Sequence, residues 1–395
     1  MVLAAAHACA LGGAVSKDLQ ALLARPENDI ALGRGALLVC KEEYPELDVQ
    51  AQLALLDASA RRLSAELARA KDVMSKLEAL RTFLFDTEKY ELPKEDRPSD
   101  FLLCDVLKLK RGNCLGLSVL CLALAERTGL KLYGVPLPAR TAGPGHLLVR
   151  YDDGAKRQNF DPVERGAAHP DEHYRKLFKL PADEKRLAAA SRKEVLSILL
   201  ANLGGARVEA GRPAAALPLL EQAIALSPGL ASAQNNVGAA HLCLGNAAAA
   251  EKAYQKALTL LPGMAGARLG LADIALRQGD SASAEKQIKA VMAEEPENVQ
   301  AKCLLASVQL ARGEPGAAAG LLRGAAIAAP KDVLVRCNLG KAHFVAGNFL
   351  EAEQAYREAL TLDANCADAH SGLGSVLRAT GQTQESQTEF AAASG

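Results

Sequence analysis

The sequence predicts a mixed α+β N-terminal half joined to an all-α C-terminal half built from a repeat. Three observations predict it. Six glycines, Gly211, Gly245, Gly279, Gly313, Gly347 and Gly381, recur at a step of 34 residues. The segment from His146 to Pro162 reads as a β-hairpin set among helical stretches. Apolar residues make up 49% of the chain while aromatics are 4% and Trp is absent, so the apolar content is mostly Ala and Leu, which are good helix formers. This composition excludes an all-β or a disordered chain.

At 395 residues the chain has room for two or three domains. Lys plus Arg and Asp plus Glu are both 46, so the formal net charge is zero. A sequence-independent nucleic-acid binder needs a basic surface, and an anionic membrane needs a basic patch; neither is expected as a partner. The nine cysteines are odd in number and contain no C-x-x-C pair, which argues against a disulfide framework or a structural zinc site and for a reducing, cytoplasmic setting. The apolar segment Met1–Ser16 has no basic residue ahead of it and is read as a short helix or frayed end rather than a secretory signal. The apolar run from about Cys114 to Ala125 is too short to span a bilayer and fits a buried helix, with Cys121 as a core residue.

In the C-terminal half, Pro228, Pro262, Pro296 and Pro330 share the 34-residue step, with Ala364 in the fifth place. Between these marks lie two amphipathic helices per period. Small residues recur at Gly204, Gly238, Ala272, Ala306, Gly340 and Gly374, where helices must approach closely. Bulky residues recur at Leu220, Tyr254, Ile288, Leu322, Tyr356 and Phe390 and are expected to fill the space between helices. Gly permits the tight turn before the second helix, and Pro stops the helix after it. His241 and His343 share one position and are read as packing residues, as are Cys303 and Cys337.

"AAHLCLGNAAAAEKAYQKALTLLP" and "KAHFVAGNFLEAEQAYREALTLDA" carry the small–small–aromatic–Ala pattern of the tetratricopeptide repeat, which this half closely resembles over Glu194 to about Ser394, as five full repeats and a partial sixth. The resemblance implies an all-α tetratricopeptide-repeat superhelix with a concave groove for a peptide or another protein's helix. Asn202, Asn236 and Asn338 occupy one shared position on the first helices. In the family that position faces the groove and bonds an extended peptide; the plainer reading is that Asn there bonds a neighbouring backbone.

In the N-terminal half, residues 17–90 read as helices broken at Pro45, and Glu88–Ser99 as an exposed loop. "RGNCLGLSVLCLALAERTGL" reads as a loop running into a helix with Cys114 in its first turn, where unpaired N–H groups and the positive dipole end favour a thiolate. "KLYGVPLP" is a strand and "ARTAGPG" a flexible loop. In "HLLVRYDDGAKRQNFDP" a two-residue turn centred on Asp153–Gly154 pairs residues whose numbers sum to 307. Leu147 then faces Phe160 and His146 faces Asp161, on one side of the hairpin, so the carboxylate can orient the imidazole. Each residue alone has a plain reading: a core thiol, a satisfied strand histidine, a turn-forming Asp before Pro. Their order and placement together favour the triad.

The order Cys114, His146, Asp161 on a helix followed by antiparallel strands resembles the transglutaminase-like branch of the papain-like superfold. "EEYPELDV", "DVLKLKRGNCLGLSVLCLALAERTGL" and "YGVPLP" resemble bacterial transglutaminase-like proteins that carry C-terminal tetratricopeptide repeats. The resemblance implies Cys114 as nucleophile, His146 as base and Asp161 as its orienter, acting on an amide of a protein or peptide by hydrolysis or acyl transfer, with no cofactor. The chain departs from the family in having Leu115, not Trp, after the Cys; the Cys114 N–H with Asn113 is then the oxyanion candidate. His169 and His173, four apart, raise a zinc reading, but Pro170 and the charged surroundings favour an exposed linker helix, so no metal is expected.

The expected organisation is a transglutaminase-like domain over 1–165, a connector over 166–193 whose "ADEKRLAAASRKE" is a solvated helix, and repeats over 194–395 that bind substrate or partner. The competing reading is a non-catalytic interaction scaffold in which the first domain has lost turnover.

Overall fold

The computed structural model describes residues 14–94, 97, 99–138, 145–180 and 187–394. The N-terminal expectation for Met1–Ser16 falls almost wholly outside these residues, as does most of the loop expected at 139–145. The chain divides into two units, residues 1–262 and 263–395.

The first unit opens with helices α1 (Lys17–Leu23), α2 (Leu32–Glu43), α3 (Val49–Leu67) and α4 (Val73–Arg81), the last running into a π-helical turn over Thr82–Thr87. α2 ends just before Pro45, whose ring cannot continue a helix. Asp48 caps α3 through the Ala51 N–H, and Asp72 and Ser75 form a reciprocal capping box on α4. The loop expected to be exposed after Glu88 is in part buried: Tyr90 is 1% exposed, with the Lys110 ammonium over its ring. Helices α5 (Leu103–Leu109) and α6 (Cys114–Thr128) follow. Every residue of α6 from Leu115 to Ala125 is buried, and Gly129 ends it in the left-handed conformation.

Strands β1 (Leu132–Leu137), β2 (His146–Asp152) and β3 (Arg157–Phe160) form one antiparallel sheet in that order. Leu147, Val149, Tyr151 and Phe160 face α6 in the main core. On the other face Val135, Leu137 and Leu148 pack with Tyr174 of α7 (Asp171–Leu177) and with Leu187.

The hairpin register differs from expectation. Val149 pairs with Phe160 and Asp152 with Arg157, two residues off the predicted ladder. The chain reverses over four residues because two aspartates organise the turn. Asp153 Oδ1 accepts the N–H groups of Ala155 and Lys156 at 3.0 and 2.7 Å, and Asp152 Oδ1 accepts that of Gly154 at 3.0 Å. Strand side chains alternate with period two, so a slip of two keeps every residue on its expected face. His146 and Asp161 therefore share a face as diagonal neighbours rather than opposed ones.

The solvated helix expected over 182–194 is also corrected. Residues 182–186 lie outside the description, Leu187 is 3% exposed, and helix begins only at Arg192 behind the cap Ser191. Ser191 and Glu194 satisfy each other's N–H groups in a capping box, which sets that start.

Two helix pairs complete this unit: α8 (Arg192–Glu209) with α9 (Pro213–Leu226), and α10 (Ala231–Cys243) with α11 (Ala247–Leu260). Leu196, Leu199, Leu200 and Leu203 of α8 lie in the same core as Leu37 and Val39 of α2. Arg207 bonds the Glu42 carbonyl and pairs with Glu43, and Arg212 pairs with Glu43 at 2.5 Å. The first repeat is thus packed into the N-terminal core.

The second unit has four pairs: α12 (Ala265–Arg277) with α13 (Ser281–Glu294), α14 (Val299–Ala311) with α15 (Pro315–Ala328), α16 (Val333–Val345) with α17 (Phe349–Leu362), and α18 (Ala367–Ala379) with α19 (Thr383–Ser394). In both units the six periodic turn glycines have φ between +71° and +85°, a region costly for other residues. The small and bulky series meet as expected. A Cβ on Gly238 would lie 2.6 Å from the Tyr254 ring, and one on Gly340 2.9 Å from the Tyr356 ring. His343 is buried, and the His241 and His343 Nδ1 atoms have no partner among the described residues.

Candidate active site

Cys114 is the first residue of α6, and its placement is built from the loop before it. Asp100, 1% exposed, pairs with Arg111 at 3.1 Å. Its backbone carbonyl accepts the Asn113 N–H at 3.0 Å. Asn113 is the N-cap, its Oδ1 accepting the Gly116 N–H at 3.1 Å. A Cβ on Gly116 would lie 2.5 Å from the Asp100 carbonyl oxygen, so only glycine lets the first turn of α6 settle on this loop. Among the described residues the Cys114 and Leu115 N–H groups have no acceptor, as the first turn of a helix allows.

One turn on, Ser118 is fully buried and its hydroxyl donates to the Leu147 carbonyl at 2.6 Å. This bond fixes the start of α6 beside the start of β2. The Cys114 Sγ lies 4.0 Å from the Gly145 carbonyl oxygen, and the thiol is near enough to the side chain of His146, the next residue, to raise its pKa.

His146 Nε2 lies 3.0 Å from Asp161 Oδ2, with the two side chains 13% and 5% exposed. Asp161 accepts two further bonds: the Val163 N–H at Oδ1, 3.1 Å, and the Tyr174 hydroxyl at Oδ2, 3.2 Å. Phe178 stacks parallel to the imidazole, with centroids 6.0 Å apart.

Burial alone would lower the His146 pKa, but the bond to Asp161 and the neighbouring Cys114 thiol outweigh it and push it up to about 9. Burial alone would raise the Asp161 carboxyl; the bonds from His146, Val163 and Tyr174 hold it below its ordinary value. Burial and the neighbouring Asp161 carboxylate push the Tyr174 hydroxyl up, so it remains a donor. Cys121, fully buried, is pushed up by burial and belongs to the core.

Asn113, expected as an oxyanion donor, spends its carbonyl oxygen on the cap and its backbone N–H on Asp100. Its side-chain amide group is what it can still offer. The three repeat asparagines differ among themselves. Asn202 is exposed and donates to Ile198 of its own helix at 2.8 Å. Asn236 donates to the Ala201 carbonyl at 3.0 Å, and the Asn338 side chain is near enough to the Cys303 thiol to lower its pKa against burial. The last two reach 35 residues back, to the preceding repeat.

Sequence reasoning missed Tyr174, Phe178 and the Asp100–Arg111 pair. Tyr174 and Phe178 lie in the segment read as a connector, where no local pattern marks them. Ser118 carried a signal: a lone hydroxyl four residues after Cys114 in an apolar run. The histidines expected on an exposed linker helix instead meet a carboxylate. His169 Nε2 lies 2.5 Å from Glu164 Oε2, and the His169 and His173 rings stack at 4.1 Å. This is the group among the described residues with the donor set to hold a metal ion.

Residues 50–201 match the family model of the transglutaminase-like superfamily. Residues 202–265, 269–333 and 337–393 match that of the tetratricopeptide repeat. A UPF0162 protein of Xylella fastidiosa (strain Temecula1 / ATCC 700964) is 31% identical over 123 residues, 30% of this chain. The chain spans 42% of the length of that relative and of its counterpart in strain 9a5c. Among solved structures, TTC0263, a thermophilic TPR protein in Thermus thermophilus, is similar at 21% identity and TM-score 0.39, over 41% of this chain and 89% of that one. A tetratricopeptide repeat protein from Parabacteroides merdae ATCC 43184 is similar at 17% identity and TM-score 0.43, over 56% and 82%. No helix among the described residues is long and apolar enough to cross a membrane.

Proposed function

The chain carries a transglutaminase-like domain followed by tetratricopeptide repeats, a class of protein-interaction module, and from that premise we propose that it is a cysteine-dependent enzyme acting on amide bonds of proteins or peptides. The observation that carries the reading is His146, bonded to Asp161 at 3.0 Å and with the Cys114 thiol near enough to help raise its pKa. With the imidazole pushed up to about 9, His146 holds its proton at neutral pH. A protonated His146, held by Asp161, then stands beside Cys114 at the first turn of α6.

In this mechanism the thiolate attacks the amide carbonyl carbon. The developing oxyanion lies at the first turn of α6, where the Cys114 N–H and the Asn113 side-chain amide are the donors in reach. Collapse breaks the C–N bond as His146 gives its proton to the leaving amine. The resulting thioester passes to water or to a second amine, with His146 taking the proton of the incoming group. Phe178, stacked on the imidazole, limits the water that reaches it.

The repeats bring the substrate or a partner protein. Of the three asparagines, Asn202 is the exposed one and the position from which a bound peptide is contacted. Nine cysteines without a C-x-x-C pair favour the cytoplasm.

A second reading is a scaffold without turnover. The shared core of α2 and α8 favours it, since it fuses the first repeat to the domain as one platform. Limiting alkylation of the folded chain near neutral pH, followed by peptide mapping, separates the two. An enzyme labels first at Cys114, and His146→Ala removes that preference. If Cys114 reacts as slowly as buried Cys121, the chain is a scaffold.

A further inference from the structure

The turn and helix that follow β3 hold a second group of chemistry-bearing side chains, separate from Cys114 and His146. Glu164, His169 and His173 each offer one ligand atom, and these atoms lie within 4.8 Å of one another. His169 precedes α7 and His173 lies in its first turn, so the four-residue spacing brings both imidazoles to one side, stacked at 4.1 Å with 17° between planes. The Glu164 carboxylate reaches them from the preceding turn, 2.5 Å from His169 Nε2.

Two features mark the cluster as more than a surface ion pair. His173 Nε2 is shut off from water and has no hydrogen-bond partner among the described residues. Such an orphan is costly and is normally removed by a partner. The backbone is also tied down: the Asn159 amide donates to the His169 carbonyl at 2.9 Å and to Asp171 Oδ1 at 2.8 Å, while Arg150, 3% exposed, pairs with that same Asp171. A backbone held this firmly keeps the two histidines placed for a ligand.

We propose that Glu164, His169 and His173 bind a divalent cation of the zinc class. Two imidazole nitrogens and one carboxylate oxygen are the donors such borderline cations select over the hard, all-oxygen sites of calcium and magnesium. The side chains of His169 and Glu164 are 34% and 45% exposed, so the remaining coordination positions open to solvent and belong to water. The ion clamps the turn that follows Asp161: the Glu164 N–H bonds the Asp161 carbonyl at 3.2 Å, and Tyr174, next to His173, bonds the Asp161 carboxylate. Its role is to hold the orienting carboxylate in place, not to activate substrate.

Titration of the full chain with Co2+ alone tests this, read by visible absorption and by metal content after dialysis. The expected result is one equivalent bound with weak ligand-field bands and without the intense sulfur-to-cobalt charge transfer of a thiolate site. His169→Gln, at a solvent-facing position outside any helix, weakens binding at least about tenfold, as does His173→Ala, while His146→Ala leaves it unchanged. Circular dichroism of the metal-free variants shows that each is folded, and His169→Gln carries the test if His173→Ala is not. Absence of bound cobalt, a thiolate band, or equal binding by His169→Gln overturns the proposal.

Discussion

The Tyr174 hydroxyl donates to Asp161 Oδ2 at 3.2 Å, the same oxygen that meets His146 Nε2 at 3.0 Å. One carboxylate oxygen thus carries both the imidazole and a phenol from α7. Tyr174 is a positioning residue: it reaches no reacting atom, yet its bond fixes which way the carboxylate faces. Tyr174→Phe keeps the buried ring and deletes the bond. It is expected to lose about 1 kcal/mol of stability and to lower the pH at which His146 titrates. A purely structural tyrosine would change the first and leave the second.

Gly116→Ala places a methyl 2.5 Å from the Asp100 carbonyl oxygen, and backbone cannot swing aside as a side chain can. The first turn of α6 must shift. The expected loss is about 1–3 kcal/mol, with Cys114 alkylation falling to the rate of an ordinary exposed thiol. Unchanged Cys114 selectivity in a folded variant would show that the turn tolerates the shift.

The raised His146 pKa makes stability depend on pH. A group whose pKa rises on folding stabilises fully below its unfolded value, near 6.5, and loses that contribution as pH climbs through its folded value, about 9. Asp161 acts in the opposite sense, its contribution vanishing as acid protonates it. Denaturant unfolding of the wild type and His146→Gln at a series of pH values is therefore expected to show a gap that is widest at pH 5–6 and closes between about pH 7 and 10. A gap independent of pH in that window contradicts the assignment.

In the repeats, Gly238→Ala sets a methyl 2.6 Å from the Tyr254 ring. The aromatic must leave its place between helices, at about 1–3 kcal/mol. Gly229→Ala, with nothing within 4 Å of the new methyl, is the control and is expected to leave the thermal midpoint nearly unchanged.

How much of this was legible depends on range. The periodic glycines of the repeat report a local conformation, φ above +70°, which one residue type supplies, so the period could be read directly. Cys114 at a helix start was legible for the same reason, from Gly112–Asn113 and the apolar run behind them. The hairpin register was not, because the Asp152 and Asp153 side chains set the turn length and their bonds leave no mark in the alternation. The side of the sheet survived that error, since the slip was even. Tyr174 and Phe178 were out of reach, as nothing near residue 174 states that its hydroxyl meets residue 161. Arg207 shows the same limit. It sits in repeat register with His241 and His343, yet its guanidinium bonds Glu42 and Glu43 of α2, a partnership set by the packing of α8 on the domain.

The central claim is that Cys114 works with a His146 that Asp161 holds protonated at neutral pH. Nuclear magnetic resonance of the histidine ring nitrogens, with His146 assigned by its loss in His146→Gln, tests it most directly. The account predicts an imidazolium at neutral pH that titrates near 9 and moves toward 6.5 in Cys114→Ala. A neutral His146 ring at pH 7.5 in the wild type, unchanged by Cys114→Ala, would contradict it.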